Sequence, residues 1–138
     1  MGRVRGFHDL DPWMTVARRR TGEIAEELVA QRLAAAGWEI VERNARTRYG
    51  ELDIVARDGS TLVFVEVKGA RAGTAFGPEK PILAIDFRKQ QRVRRLATAW
   101  ISERRDQPPY DEIRCDAVGV TLDRAGRPVE IDYVKGAF

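Results

Sequence analysis

The chain has 138 residues, 43% hydrophobic and 33% charged, enough for one domain with its own core and too few for two. Its single cysteine, Cys115, excludes an internal disulfide or a cysteine metal site, and its single histidine, His8, argues against histidine catalysis and zinc ligation. A net charge of +3 and pI ≈ 9.3 only lean toward polyanionic partners.

Residues 1–20 hold Gly, Pro, scattered aromatics and Arg18-Arg19-Arg20, and read as a flexible N-terminal leader ahead of a single domain over 21–138. The leader is basic without an apolar core, so no signal peptide is expected. No run approaches the roughly 18 apolar residues of a membrane span. With one cysteine, a reducing, cytoplasmic setting is expected. Thr21–Ala36 reads as a helix, with Thr21 as N-cap and Gly37 as the C′ residue. Ala25, Val29 and Ala36 define its buried centre. Glu26 lies on the edge of that face, able to reach inward over a sheet, while Glu23 and Glu27 point outward. Trp38–Val41 reads as a strand. The stretch from Glu42 to Gly50 reads as an Arg-rich connector, either solvated or touching phosphates through Arg46 and Arg48.

From Gly50 to Lys68, two strands flank Asp58-Gly59, a strong hairpin signal. A two-residue loop there sets Arg57 opposite Ser60, Ile54 opposite Val63 and Asp53 opposite Phe64. Side chains alternate along a strand, so Asp53, Phe64, Glu66 and Lys68 share one face, and Ile54, Val63, Val65 and Val67 the other. Glu66 is then the diagonal neighbour of Asp53, and Glu51 lies across from Glu66. One face is apolar and buried; the other carries carboxylates and an ammonium. The residues alone leave two readings open. One is a cross-strand ion pair on a wet face. The other is a site for a hard divalent cation, because close carboxylates disfavour ionisation unless a cation lies between them.

Gly69–Ile85, rich in Gly and Pro, reads as a loop: a lid or a plain connection. Asp86–Arg105 is predicted helix, capped by Asp86, with Val93, Leu96, Ala97, Trp100 and Ile101 as its apolar stripe. It holds seven basic and two acidic residues, net +5, leaving the rest of the chain at −2. Arg88, Lys89, Arg92, Arg94 and Arg95 concentrate that charge as a phosphate-backbone footprint would, though a solvated helix face has the same composition. Strands follow over Ile113–Leu122 and Val129–Lys135, Cys115 being a small buried hydrophobe in the first. The order α-β-β-β-α-β-β predicts an α/β (α+β sandwich) fold, a mixed central sheet with a helix packed on each side.

A carboxylate cluster, a lysine and a basic helix together fit metal-assisted phosphodiester cleavage. Asp53, Glu66 and the Val67 backbone carbonyl would bind Mg²⁺ or Mn²⁺, and the metal would acidify a bound water. Lys68 would orient that water or stabilise developing charge. Glu26 would complete the metal shell or position water. The partner would be nucleic acid, most simply DNA, and a homodimer would suit a two-strand substrate.

Asp53 with Glu66-Val67-Lys68 resembles the split signature of the PD-(D/E)XK nuclease superfamily. More closely, the chain resembles the bacterial YraN-type family within it, which is related to Holliday-junction resolvases. The likeness runs through Gly22-x-x-x-Glu26, Arg43-Asn44-x-Arg46, Gly50-Glu51-Leu52-Asp53-Ile54-Val55-Ala56, Val63 to Lys68, Lys89-Gln90, Arg114-x-Asp116-Ala117-Val118 and Ala137-Phe138. It implies a restriction-endonuclease-like core, an active site at Glu26, Asp53, Glu66 and Lys68, and supporting roles for Lys89 and Gln90.

Overall fold

Apolar runs broken by glycine turns give this chain strands long enough to make one sheet, and two amphipathic helices cover it. A computed structural model describes residues 12–73, 81–85 and 87–138. The elements are helix α1 (Pro12–Ala35), strands β1 (Glu39–Thr47), β2 (Gly50–Asp58) and β3 (Thr61–Arg71), a 3-10 turn at Pro81–Ala84, helix α2 (Phe87–Glu103), and strands β4 (Glu112–Leu122) and β5 (Pro128–Val134). The strands lie side by side in chain order. All neighbours are antiparallel except β3 and β4, and α2 lies in the crossover that such a parallel pair needs. The expected mixed α/β architecture, with its element order, is found.

Both faces of the sheet are covered. On one, Ala25, Val29, Ala30 and Leu33 of α1 pack on Ile54, Val63, Val65, Val67, Val118 and Val120. On the other, Val93, Leu96, Ala97 and Trp100 of α2 pack on Leu52, Val55, Leu62, Phe64 and Cys115. Phe64 meets Trp100 edge-on, with ring centroids 5.7 Å apart. The face expected to be wet is therefore largely core, because α2 closes over it and leaves only its Glu66–Lys68 end partly open. Trp100 donates its indole N–H to Glu42 Oε1 at 2.9 Å, and Arg104 grips both oxygens of that carboxylate. Among the described residues no helix is long and apolar enough to cross a membrane.

Several boundaries differ from the sequence expectation. The helix begins at Pro12, not Thr21. Thr21 is no cap: it is buried in mid-helix, donating to the Ala17 carbonyl and accepting from Arg71 Nε. The expected leader thus turns helical from Pro12, and residues 1–11 lie outside the described residues. At the other end Gly37, at φ 94°, forms the expected C′ turn: its N–H donates to Ala34 O and that of Trp38 to Leu33 O, which leaves Ala36 exposed rather than buried. The Arg-rich connector is strand through Thr47, paired with β2. Gly69–Arg71 continue β3, residues 74–80 of the expected lid lie outside the described residues, and the 3-10 turn lies on β4 at Gly119. The proposed cap Asp86 also lies outside them.

The hairpin register is shifted as well. Asp58 pairs with Thr61, Ala56 with Val63 and Ile54 with Val65, so the loop is Gly59-Ser60 and Gly59 takes the positive φ of 62°. The shift is by two residues. Because side chains alternate with period two, the assignment of Ile54, Val63, Phe64, Val65 and Val67 to faces survives it.

Candidate active site

Strand β2 turns over at Asp53. In the β1–β2 register Arg43 faces Ile54 and Ala45 faces Leu52. In a regular strand residues two apart share a face. Here Ile54 lies in the α1-side core, whereas Leu52 and Ala45 lie in the α2-side core. Between Arg43 and Ala45 stands Asn44 with φ 49°, the one non-glycine residue with positive φ among the described residues. Opposite it, between Leu52 and Ile54, stands Asp53. The β2–β3 ladder ends at the same place, at Ile54–Val65. Asp53 is therefore released into the seam where β2 parts from β3. Its Oδ2 accepts the Val67 N–H at 2.7 Å. A residue in an extended strand turns its N–H and C=O to the same edge, so the Val67 carbonyl also faces this seam.

The Glu66 carboxyl comes up to Asp53 from β3, near enough that the two groups shift each other's titration. Burial pushes the Glu66 carboxyl up to about 7, the nearby Asp53 charge adds to the rise, and Lys89 and Arg92 oppose it. Burial also raises Asp53, against the lowering effect of the Val67 N–H. Glu26 joins from the α1 side: burial takes it to about 7, Asp53 raises it further and Arg43 works against both. Lys68, half-buried, is held below the usual ammonium range by burial first and by Lys89 second, while Glu66 and Asp53 pull the other way. Gly69 lets α1 come this close. A Cβ there would lie 2.8 Å from Ala25 Cβ and 3.2 Å from the Thr21 carbonyl.

The seam thus gathers Glu26, Asp53, Glu66 and Lys68, with Lys89 and Arg92 at its α2 rim. The other sequence candidates surround the seam or lie apart from it. Glu51 does not face Glu66: it pairs with Arg46 across β1, because β2 has left β3 by then, but it lines an open groove of about 910 Å³ with Glu26, Arg43 and Asn44, and its charge raises both Glu26 and Asp53. Arg46 is drawn to Glu51 at 3.7 Å, and Arg48 to Glu103 at 3.6 Å. Gln90 is half-buried in the first turn of α2. The helix basic residues divide. Arg88, Arg92 and Arg95 line one flank. Arg94 lies on the other, beside Cys115, whose thiol is pushed up to about 11 by burial.

Asp116 was legible in the sequence only as part of a motif. It is fully buried and accepts from Arg114 (2.8 and 3.1 Å), the Tyr133 hydroxyl (2.6 Å) and the Gly136 N–H (2.8 Å), fastening the C-terminal segment to β4. An acid two residues from an arginine within an apolar strand is the signal for such a pair, since both share a face.

Asp53 and Glu66 bring two carboxyl groups together where two full charges would repel. Among the described residues no group of three or more His, Cys, Asp or Glu side chains is placed to hold a metal ion, so Glu26 does not join Asp53 and Glu66 as a third ligand in this arrangement. Two carboxylates and a backbone carbonyl are hard oxygen donors, the type Mg²⁺ takes when water fills the rest of its shell.

Comparison with known proteins finds that residues 25–120 match the model of the uncharacterised protein family UPF0102. A UPF0102 protein of Nocardia farcinica is 48% identical over 121 residues, covering 88% of this chain and 91% of its own. One of Streptomyces griseus is 48% identical over 120 residues (87% and 97%), and one of Moorella thermoacetica 42% identical over 125 residues (91% and 100%).

Proposed function

The chain belongs to the UPF0102 family, and we propose that it is a Mg²⁺-dependent endonuclease hydrolysing phosphodiester bonds in DNA, with branched or processed DNA as its substrate class. The observation that carries this is the parting of β2 from β3 at Asp53, which gathers two carboxylates, a third from α1 and a desolvated lysine beside a basic helix. Asp53, Glu66 and the Val67 carbonyl would hold the ion. When bound, Mg²⁺ would neutralise the scissile phosphate and lower the pKa of a water. Lys68, two residues along β3 from Glu66, orients that water and meets the charge that develops on the phosphoryl oxygens. Glu26, whose carboxyl is raised to about 7 by burial, holds a water from the α1 side. Lys89 and Arg92 offset the charge of the acids and receive the incoming phosphate. A lone buried thiol, Cys115, fits work in the reducing cytoplasm.

That no three His, Cys, Asp or Glu side chains among the described residues are placed to hold a metal favours one alternative, a nucleic-acid-binding protein that kept the nuclease fold and cleaves little or not at all. Incubation with Mg²⁺ or Mn²⁺ and a panel of single-stranded, duplex, flap and four-way DNA separates the two. Metal-dependent cleavage that disappears in Asp53→Ala and Lys68→Ala, both folded, supports the nuclease. Cleavage unchanged in both variants overturns the site. Binding without cleavage leaves the alternative.

A further inference from the structure

We propose that Tyr49 is a stacking platform for an unpaired nucleobase, so that the substrate of the seam is a nucleic acid with single-stranded character close to the cleaved bond. This rests on the nucleic-acid reading of the site and goes beyond it. Tyr49 is 52% exposed at the tip of the β1–β2 turn, a large aromatic ring that the core does not use. Cations surround it: the Arg48 guanidinium lies 5.1 Å and that of Arg95 5.6 Å from the ring centroid. The ring divides two shallow hollows on the outer flank of α2. One is lined by Arg48, Thr98 and Ser102, the other by Arg88, Gln91 and Arg92, and Tyr49 and Arg95 border both. Arg92, which lines the second hollow, is near enough to the seam to act electrostatically on both Asp53 and Glu66.

The platform is held in place. Tyr49 N–H donates to Thr47 Oγ1, Thr47 Oγ1 donates to the Gly50 carbonyl, and Arg48 N–H donates to Glu103 Oε2. Gly50, at φ 142°, lets the turn lie on α2, where a Cβ would come 3.3 Å from Leu96 Cδ2. Among the described residues Arg88, Arg92 and Arg95 form no ion pair with a carboxylate, so their charge remains available to phosphates. An exposed ring on a fixed turn, flanked by Arg48 and the unpaired Arg95, is the arrangement that binds single strands: bases stack on the aromatic face or on a guanidinium plane, and phosphates take the remaining charge. In a duplex every base face is already covered, so the ring gains nothing there.

The test is equilibrium binding in EDTA, by fluorescence anisotropy and by 2-aminopurine quenching, of a labelled single strand and its duplex. It uses wild type, Tyr49→Ala and Tyr49→Trp, each checked for an unchanged melting temperature. Expected is about a ten-fold weaker single-strand affinity and loss of quenching in Tyr49→Ala, both restored in Tyr49→Trp, with duplex affinity unchanged. Equal single-strand affinity in wild type and Tyr49→Ala overturns the proposal, as does an equal loss on duplex or no single-strand binding at all. Because no metal is present, the expected result without cleavage in a separate Mg²⁺ assay sinks the nuclease reading alone.

Discussion

The Asp53 carboxylate accepts the Val67 N–H at 2.7 Å, in the place where a paired β2 would have offered a backbone carbonyl. The acid is at once the patch that closes the parted ladder and the centre toward which Glu26 and Glu66 are drawn. Asp53→Ala therefore has two opposed effects on the folded state. It leaves the buried Val67 N–H without its acceptor, at a cost of about 1–3 kcal/mol, and it removes the Asp53 charge that disfavours ionisation of Glu26 and Glu66. Side-chain NMR titration of the variant should show Glu66 and Glu26 below their present values of about 7, yet still above the ordinary 4.5, because burial is the larger cause in both. If both stay at about 7, Asp53 does not couple them.

Stability should fall as pH rises across the site's titration window. Glu26 and Glu66 have folded values of about 7 against an ordinary 4.5. Between these limits the folded chain binds more protons than the unfolded chain, so the free energy of unfolding decreases with rising pH. Mg²⁺ should oppose the trend, since its ligands must be ionised to bind it. Melting temperatures recorded with and without Mg²⁺ should show a stabilisation that grows as pH passes about 7 and is lost in Asp53→Asn. Cleavage should rise through the same window. A Mg²⁺ shift independent of pH, or retained in Asp53→Asn, would remove the metal from this seam.

Gly69→Ala should separate α1 from β3. The added methyl would meet Ala25 Cβ at 2.8 Å and the Thr21 carbonyl at 3.2 Å, neither of which is a flexible side-chain end. Overpacking of this kind costs about 1–3 kcal/mol. Because Glu26 follows Ala25 and Lys68 precedes Gly69, cleavage should fall further than stability explains. Denaturant melts and single-turnover rates on the same preparation check this; a stable variant with wild-type rates would show that α1 does not position the site.

Removing charge from α2 should have unequal effects by flank. Arg92→Gln and Arg95→Gln should each weaken DNA binding and reduce the log–log salt slope by about one unit. Arg94→Gln, on the flank beside Cys115, should change neither. Equal slopes for all three variants would place the binding face elsewhere.

Phe64→Ala tests the covered second face. Phe64 is fully buried against Trp100, so truncation should cost about 3–5 kcal/mol in urea unfolding. A cost near zero would mean that α2 does not close over the sheet.

The local pattern determined much of this protein. Alternation along Ile54, Val63, Val65 and Val67 assigned them to one face, and a hairpin register two residues out did no harm, since a slip of two preserves every face. The apolar stripe of Val93, Leu96, Ala97 and Trp100 likewise marked the inner side of α2, because a 3.6-residue period is a property of the chain itself. Asp53, Glu66 and Lys68 could be picked out because charges inside apolar strands require a reason, whereas Glu26, on the edge of a helix face, needed the family likeness to stand out. Tertiary structure decided how these acids meet. The reversal of β2 at Asp53 depends on a positive φ at Asn44 in the neighbouring strand, and the parting from β3 depends on a backbone N–H that only the folded sheet leaves open. The same reversal sends Glu51 to Arg46 instead of Glu66. Period-two alternation holds only while the ladder is regular, and the seam forms where the ladder stops.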